Sequence, residues 1–351
     1  MTEQPWLDSH SKPTFGAISE DTVAIAILHS SGGKTIVARP LVDLGFDGYA
    51  RRVGTMVTVP YQVKARRSLL KDGEFVYRIP VKALVRDPNA AIVFPYFPPP
   101  GPEPFEKAFV IPVEYFAKHC PILQSPRGAY FEFVAGFRGT KRKWSPFCFE
   151  LHHLQDQWLD QLAGWSEEAM VRRPAGRIDA GSGPQHKLRG AFAEWFVAGQ
   201  VQVAGGNKVI VAADRVRVDC VALVVHDLTT FSVGGLAVHS GLITPGRTFA
   251  ISFGGTTFFA DDRLWLVLLG AFANGTFHED CFLIPSAAVP TLFSKATMAN
   301  GRIGYRLGIS LHRIPAKLEP YRVPTADLGR TILKNVRAAG KGQVWASRPG
   351  A

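Results

Sequence analysis

The chain reads twice. GAISEDTVAIAILHSSGGKTIVA, beginning at Gly16, aligns with GAFAEWFVAGQVQVAGGNKVIVA, beginning at Gly190. Both carry Gly-Ala, a Glu four residues after the Gly, an apolar run, a Gly-Gly turn, a Lys and Ile-Val-Ala. Downstream, AFVIPVEYF from Ala108 aligns with CFLIPSAAV from Cys281, and the short amphipathic segments WLDQL from Trp158 and ILKNV from Ile332 match in kind. A helix and several strands recurring in one order, at an offset of about 173 residues, predict a duplicated domain.

Each copy reads as one amphipathic helix followed by a strand, KTIVARPLV or KVIVAADRV. A strand carrying Asp47 or Asp219 comes next, then one ending YQVK or LAVH. Two apolar strands follow (FVYRIPV and AAIVFPYF; TFAISF and RLWLVLLGAF), then a last strand and a helix. This order predicts the α/β (α+β) class, with one mixed central β-sheet flanked by helices in each copy. The expected boundaries are a first domain at 1–170, a linker at 171–186 in VRRPAGRIDAGSGPQH, a second domain at 187–337 and a frayed tail at 338–351.

At 351 residues with 46% hydrophobic content, the chain can bury two ordinary cores. Four cysteines, Cys120, Cys148, Cys220 and Cys281, lie far apart without a Cys-x-x-Cys pair. That spacing argues against a zinc ribbon or a disulfide scaffold, and fits a reducing cytoplasm. The start, MTEQPWLDSHSKPTF, has no basic segment followed by an apolar run, so a signal peptide is not expected. LWLVLLGAFA, the longest apolar stretch, is too short to span a bilayer, so no membrane partner is expected. The net charge of +11 is uneven: residues 1–170 hold 19 Lys/Arg against 18 Asp/Glu, and residues 171–351 hold 21 against 11. Such an excess on one half suits a polyanion, most simply nucleic acid, although many proteins are basic without binding one.

SSGGKT, at 30–35, looks like the end of a phosphate-binding loop, but Leu28 stands where that motif needs its first Gly. Its second-copy counterpart, AGGNK, reads as a Gly-Gly turn feeding a strand, and so does this one. His278, Glu279, Asp280 and Cys281 sit together, but the matching place in the first copy, 105–108, has no ligand cluster, so a metal is not expected there.

The polar residues at strand ends in the first copy are more telling. Alternation along YQVK points Gln62 and Lys64 to one face and Tyr61 and Val63 to the other. Asp47 lies fifteen residues before Gln62, a spacing that lets a hairpin bring Asp47 beside Gln62 and Lys64. A carboxylate and an amide oxygen suit hydrated Mg2+ (or Mn2+), and an ammonium beside them suits a scissile phosphate. The plain alternative is a salt bridge at a sheet edge.

Asp47 in GFDGYA, with Gln62 and Lys64 in YQVK, resembles the PD-(D/E)xK nuclease superfamily, whose members share the restriction-endonuclease-like fold. Glu20 on the first helix stands where many members place an additional acidic residue. The resemblance covers the helix and central strands of both copies and implies two tandem restriction-endonuclease-like domains. It further implies metal-dependent phosphodiester cleavage, with Asp47 and Gln62 as metal ligands, Lys64 assisting the water and Glu20 a fourth catalytic residue. Gln62 departs from the commoner Glu. Gln-x-Lys alone is weak, and a second one, Gln185-His186-Lys187, occurs in the expected linker.

The second copy retains Glu194 and Asp219, but LAVH puts Ala237 and His239 at the Gln and Lys places, which predicts a degenerate domain. Arg51, Arg52, Arg66, Arg67 and the run ending Lys141, Arg142 and Lys143 are candidate phosphate-backbone contacts. The leading expectation is a DNA nuclease or nickase with one competent site, a homodimer or a protein partner being compatible with it. The rival is a nucleic-acid-binding or protein-interaction module, of a defence or mobile-element system, in which both copies have lost turnover.

Overall fold

The computed structural model describes residues 12–70, 73–98, 106–137, 143–154, 158–159, 184–214, 219–298 and 301–340. Two compact units emerge from the packing: residues 1–51, 58–169 and 343–351 in one, residues 52–57 and 170–342 in the other.

The first unit begins with helix α1 (Lys12–Ser30), then strands β1 (Thr35–Pro40), β2 (Gly48–Arg52), β3 (Thr58–Val63), β4 (Glu74–Pro80), β5 (Ala91–Pro95) and β6 (Lys107–Pro112). Helix α2 (Val113–His119), β7 (Ile122–Leu123), β8 (Tyr130–Gly136) and β9 (Cys148–Glu150) complete it. The second unit runs α3 (Pro184–Gly205), β10 (Val209–Ala213), β11 (Leu223–Asp227), β12 (Ser232–Leu242), β13 (Thr248–Gly254), β14 (Leu264–Ala271) and β15 (Phe277–Pro285). It closes with α4 (Val289–Leu292), β16 (Ser294–Thr297), β17 (Ile303–Ser310), β18 (Arg322–Pro324) and α5 (Leu328–Ala338).

Strand order recurs. In the first unit neighbouring strands follow β1-β2-β3-β5-β6-β9, and in the second β10-β11-β12-β14-β15-β18. The orientations recur as well. β2/β3 and β11/β12 are antiparallel, β3/β5 and β12/β14 parallel, β5/β6 and β14/β15 antiparallel, and β6/β9 and β15/β18 antiparallel. Ser19, Val23, Ala24 and Ile27 form the buried stripe of α1, and Ala193, Val197, Ala198 and Val201 repeat that spacing on α3. α1 packs on β1 and β3, as α3 packs on β10 and β12.

One expectation is corrected. β4 and β13 do not join the large mixed sheets; each lies in a separate three-stranded sheet, β4-β8-β7 or β13-β17-β16. Their burial explains this. TFAISFG alternates exposed and buried, as a strand with one solvated face must, whereas LWLVLLGA is buried throughout and pairs in parallel with β12. In the first unit the space between the two sheets is filled with rings, among them Phe75, Phe94, Phe116 and Phe133, with Phe94 stacked on Phe133 at 4.2 Å. The second unit fills it with Ala237, Leu266, Leu268, Phe282, Phe249, Ile251, Phe253, Leu307 and Ile309.

α3 starts at Pro184, inside the segment expected as a linker; residues 171–183 lie outside the described residues. α5 confirms the helix expected around ILKNV, while most of WLDQL and the tail beyond Gly340 fall outside them. No described helix is long and apolar enough to cross a membrane.

Candidate functional site

At the C-terminal end of β3, three of the four expected groups, Glu20, Asp47 and Lys64, influence one another electrostatically. The β2/β3 hairpin pairs Gly48 with Tyr61, and Asp47, one residue ahead of β2, donates its N–H to the Tyr61 carbonyl at 2.9 Å. This places its carboxylate against the next turn of the ladder, where Oδ2 accepts the Val63 N–H at 2.6 Å. Gly48 is required here, because a Cβ would collide with the Tyr61 hydroxyl and ring. Lys64 continues the strand line, its N–H donated to the Val93 carbonyl at 2.8 Å.

The electrostatics follow from that packing. Burial pushes the Asp47 carboxyl above the usual range, with Asp43 adding repulsion, while Lys64, the Val63 N–H and Arg39 pull it back. Burial also pushes the Glu20 carboxyl on α1 up, and repulsion from Asp47 and Asp43 takes it to about 7 against the pull of Arg39 and Lys64. Two carboxylates that repel one another beside a single ammonium are disfavoured in isolation. Arg39 and Lys64 are the cations that offset them.

Gln62 is largely buried, at 7% exposure. Its register partner is Ile92, on the side of β5 that carries Phe94 and the small sheet, while Tyr61 faces α1. Glu20 and Gln62 therefore approach the end of β3 from opposite faces, with Asp47 in the sheet plane between them.

Arg39, at the end of β1, escaped the sequence reading. Its guanidinium donates to the Asp47 carbonyl at 3.0 Å, lies 3.8 Å from Glu20 and bonds Asp21 at 2.5 Å. The repeat itself carried the signal, since the second copy has Ala213 there. Tyr61, fully buried and packed edge-on to Trp158 at 6.0 Å, lines the same corner; its hydroxyl has no hydrogen-bond partner among the described residues.

The second unit corrects one pairing. There Leu223 pairs with Leu236, and Ala222 donates to the Leu236 carbonyl at 2.8 Å, the bond Asp47 makes to Tyr61. Register therefore puts Ala222, not Asp219, at the place of Asp47, with Ala237 at Gln62 and His239 at Lys64. Asp219 does other work: its two oxygens accept the Gly54 N–H at 3.0 Å and the Val221 N–H at 3.1 Å. Ala237 is core, and His239 stacks on Phe253 at 4.8 Å.

The expected basic track is also redrawn. Arg51 and Arg52 are buried, at 0% and 6% exposure, and cannot follow a phosphate backbone from there. Arg66 lies over the Tyr77 ring at 5.5 Å and Arg67 over Phe15 at 5.0 Å, both half-buried. Lys143 donates to the His119 carbonyl and lies over Trp144; Lys141 and Arg142 fall outside the described residues.

The donor set fits hydrated Mg2+, which takes one or two carboxylates and keeps several waters. Asp47 and Glu20 are the carboxylates, and the Gln62 amide lies on the other face of β3. No family model, curated protein or solved structure matches this chain.

Proposed function

We propose that the chain is a metal-dependent nucleic-acid phosphodiesterase of the PD-(D/E)xK type, acting on DNA in the cytoplasm. In this reading it is a pair of restriction-endonuclease-like domains, one competent and one degenerate. The observation that carries it is the electrostatic coupling of Glu20, Asp47 and Lys64 at the end of β3, inside a strand order that the second unit repeats with Glu194 kept and with Ala222 and His239 in place of Asp47 and Lys64. Structural ion pairs balance charge, whereas this corner concentrates negative charge that burial makes costly.

A bound Mg2+ would polarise the phosphodiester and lower the pKa of its water. Asp47, fixed by the Val63 N–H, and Glu20, reached by Arg39, would hold that ion. Lys64 would orient the attacking water or neutralise a phosphate oxygen, as a compact ammonium can. Gln62 would supply an uncharged oxygen on the opposite face. With one working site, one strand is cut per encounter unless two chains associate.

Incubation with Mg2+ or Mn2+ and supercoiled plasmid tests this. Nicked circles that disappear with Lys64→Ala are the expected result; cleavage that persists in that variant refutes the assignment. Gln62 in place of an acid favours the rival reading, a binding module without turnover. Salt-sensitive DNA retention with intact plasmid would select it.

A further inference from the structure

A second group of ligand-type side chains lies in the first unit, at the far edge of its large sheet. Glu150 ends β9, the strand next to β6, and Leu151–His153 form a single 3-10 turn directly after it. Residues three apart eclipse in such a turn. Leu151 and Leu154 are buried and pin the turn against the core, and the Leu151 N–H donates to the Glu106 carbonyl at 2.8 Å. That pinning leaves His152 and His153 outward, and the same eclipsing returns His153 to the side of Glu150.

The result is convergence where neighbouring side chains ordinarily diverge. His152 Nε2 stands 3.2 Å from Glu150 Oε2 and His153 Nε2 4.0 Å from it, with the two imidazoles 4.4 Å apart. Ligand atoms of all three residues lie within 4.8 Å of one another, the only such group of three among the described residues. Folding does not require these residue types. The matching turn of the second unit, 324–328 after β18, reads Pro-Thr-Ala-Asp-Leu, keeps the buried Leu328 and has none of the three ligands in place.

We propose that Glu150, His152 and His153 form a site for a borderline-soft divalent ion of the Zn2+ class. Two imidazole nitrogens and one carboxylate, with a position left open to water, are a donor set that Zn2+ takes and Mg2+ does not. Tetrahedral bonds of about 2.0–2.2 Å bring ligand atoms to roughly 3.5 Å apart. Glu150 and His152 already stand at that spacing, and the exposed His153 ring has only to swing inward. Glu150 lies on β9, three strands along the sheet order from β3, and the proposal does not rest on the nuclease reading.

Calorimetric titration of the metal-stripped, tag-free full chain with Zn2+, in excess Mg2+ at neutral pH, tests it. One Zn2+ per chain is expected to be lost in the His152→Ala/His153→Ala double variant. Glu150→Gln should weaken it by about tenfold or more, and Asp47→Ala should leave it intact. All three changed side chains of the site are partly or fully exposed, so the variants fold, and the added Zn2+ should raise the melting temperature of the wild type alone. Equal Zn2+ stoichiometry and affinity in wild type and double variant, no binding by wild type, or loss with Asp47→Ala would each overturn the proposal.

Discussion

Replacing Asp47 in two different ways separates a site carboxylate from a structural ion pair. Asp47→Ala removes the acceptor of the Val63 N–H, now bonded at 2.6 Å, in a half-buried setting. An amide left without its partner costs about 1–3 kcal/mol, and each kcal/mol corresponds to about 2–4 °C in a unit of this size. Asp47→Asn keeps an oxygen for that N–H and removes only the charge. Because the folded carboxyl binds its proton more tightly than the unfolded one, its ionisation weakens folding as pH rises past the unfolded value. Near neutral pH the Asn variant should therefore melt at or above the wild type, while the Ala variant melts several degrees below. Both should lose plasmid nicking, on the order of a thousandfold if the carboxylate positions a metal worth several kcal/mol. The assay is a melting curve with chelator present, beside the plasmid assay. An Asn variant as unstable as the Ala variant would mean that the charge is structural, and the reasoning fails.

Glu20→Gln should raise the melting temperature above about pH 7 and leave it unchanged below pH 4.5, since the raised carboxyl makes the folded state pay for ionisation only between those values. Its half exposure limits the gain to less than ~1 kcal/mol, and melting with chelator across that pH range checks it. Tyr61→Phe removes a buried hydroxyl that has no partner among the described residues, so chemical denaturation should find the variant as stable or up to about 1 kcal/mol more so. In the second unit the fully buried Asp227 accepts Arg337 at 2.7 and 2.8 Å and both N–H groups of Thr229 and Thr230. Burial pushes its carboxyl up, but Arg337 and Thr230 outweigh that and hold it low. Arg337→Ala should cost about 2–3 kcal/mol, less than a fully desolvated pair because the arginine is half exposed, and the deficit should shrink as pH falls below 4. Urea titration at two pH values reads it.

Much of this was legible because the sequence pattern and the strand order recur. Strand composition and the helix stripe survive in both copies since each must bury the same face, and comparing KTIVARP with KVIVAAD could have exposed Arg39 as well. The sheet partition was harder: FVYRIPV and AAIVFPYF are both apolar, and only the exposed alternate positions of β4 distinguish a one-faced strand. Asp219 misled because an aspartate ahead of β11 is what a residue-by-residue comparison seeks, whereas hydrogen-bond register, invisible in sequence, selects Ala222. Burial of Arg51 and Arg52 was equally hidden, since arginines at a strand end read as solvated.

Ala222, Ala237 and His239 sit on a ladder whose register matches that under Asp47, Gln62 and Lys64, and the repeat in sequence sets Ala213 at the place of Arg39. The frame thus accommodates either set of residues, although Asp47 also holds the Val63 N–H in the first unit. Transplanting the N-terminal quartet onto the C-terminal frame is then a matter of four codons, and under the proposed nuclease reading such a chimera would carry two sites where the chain has one.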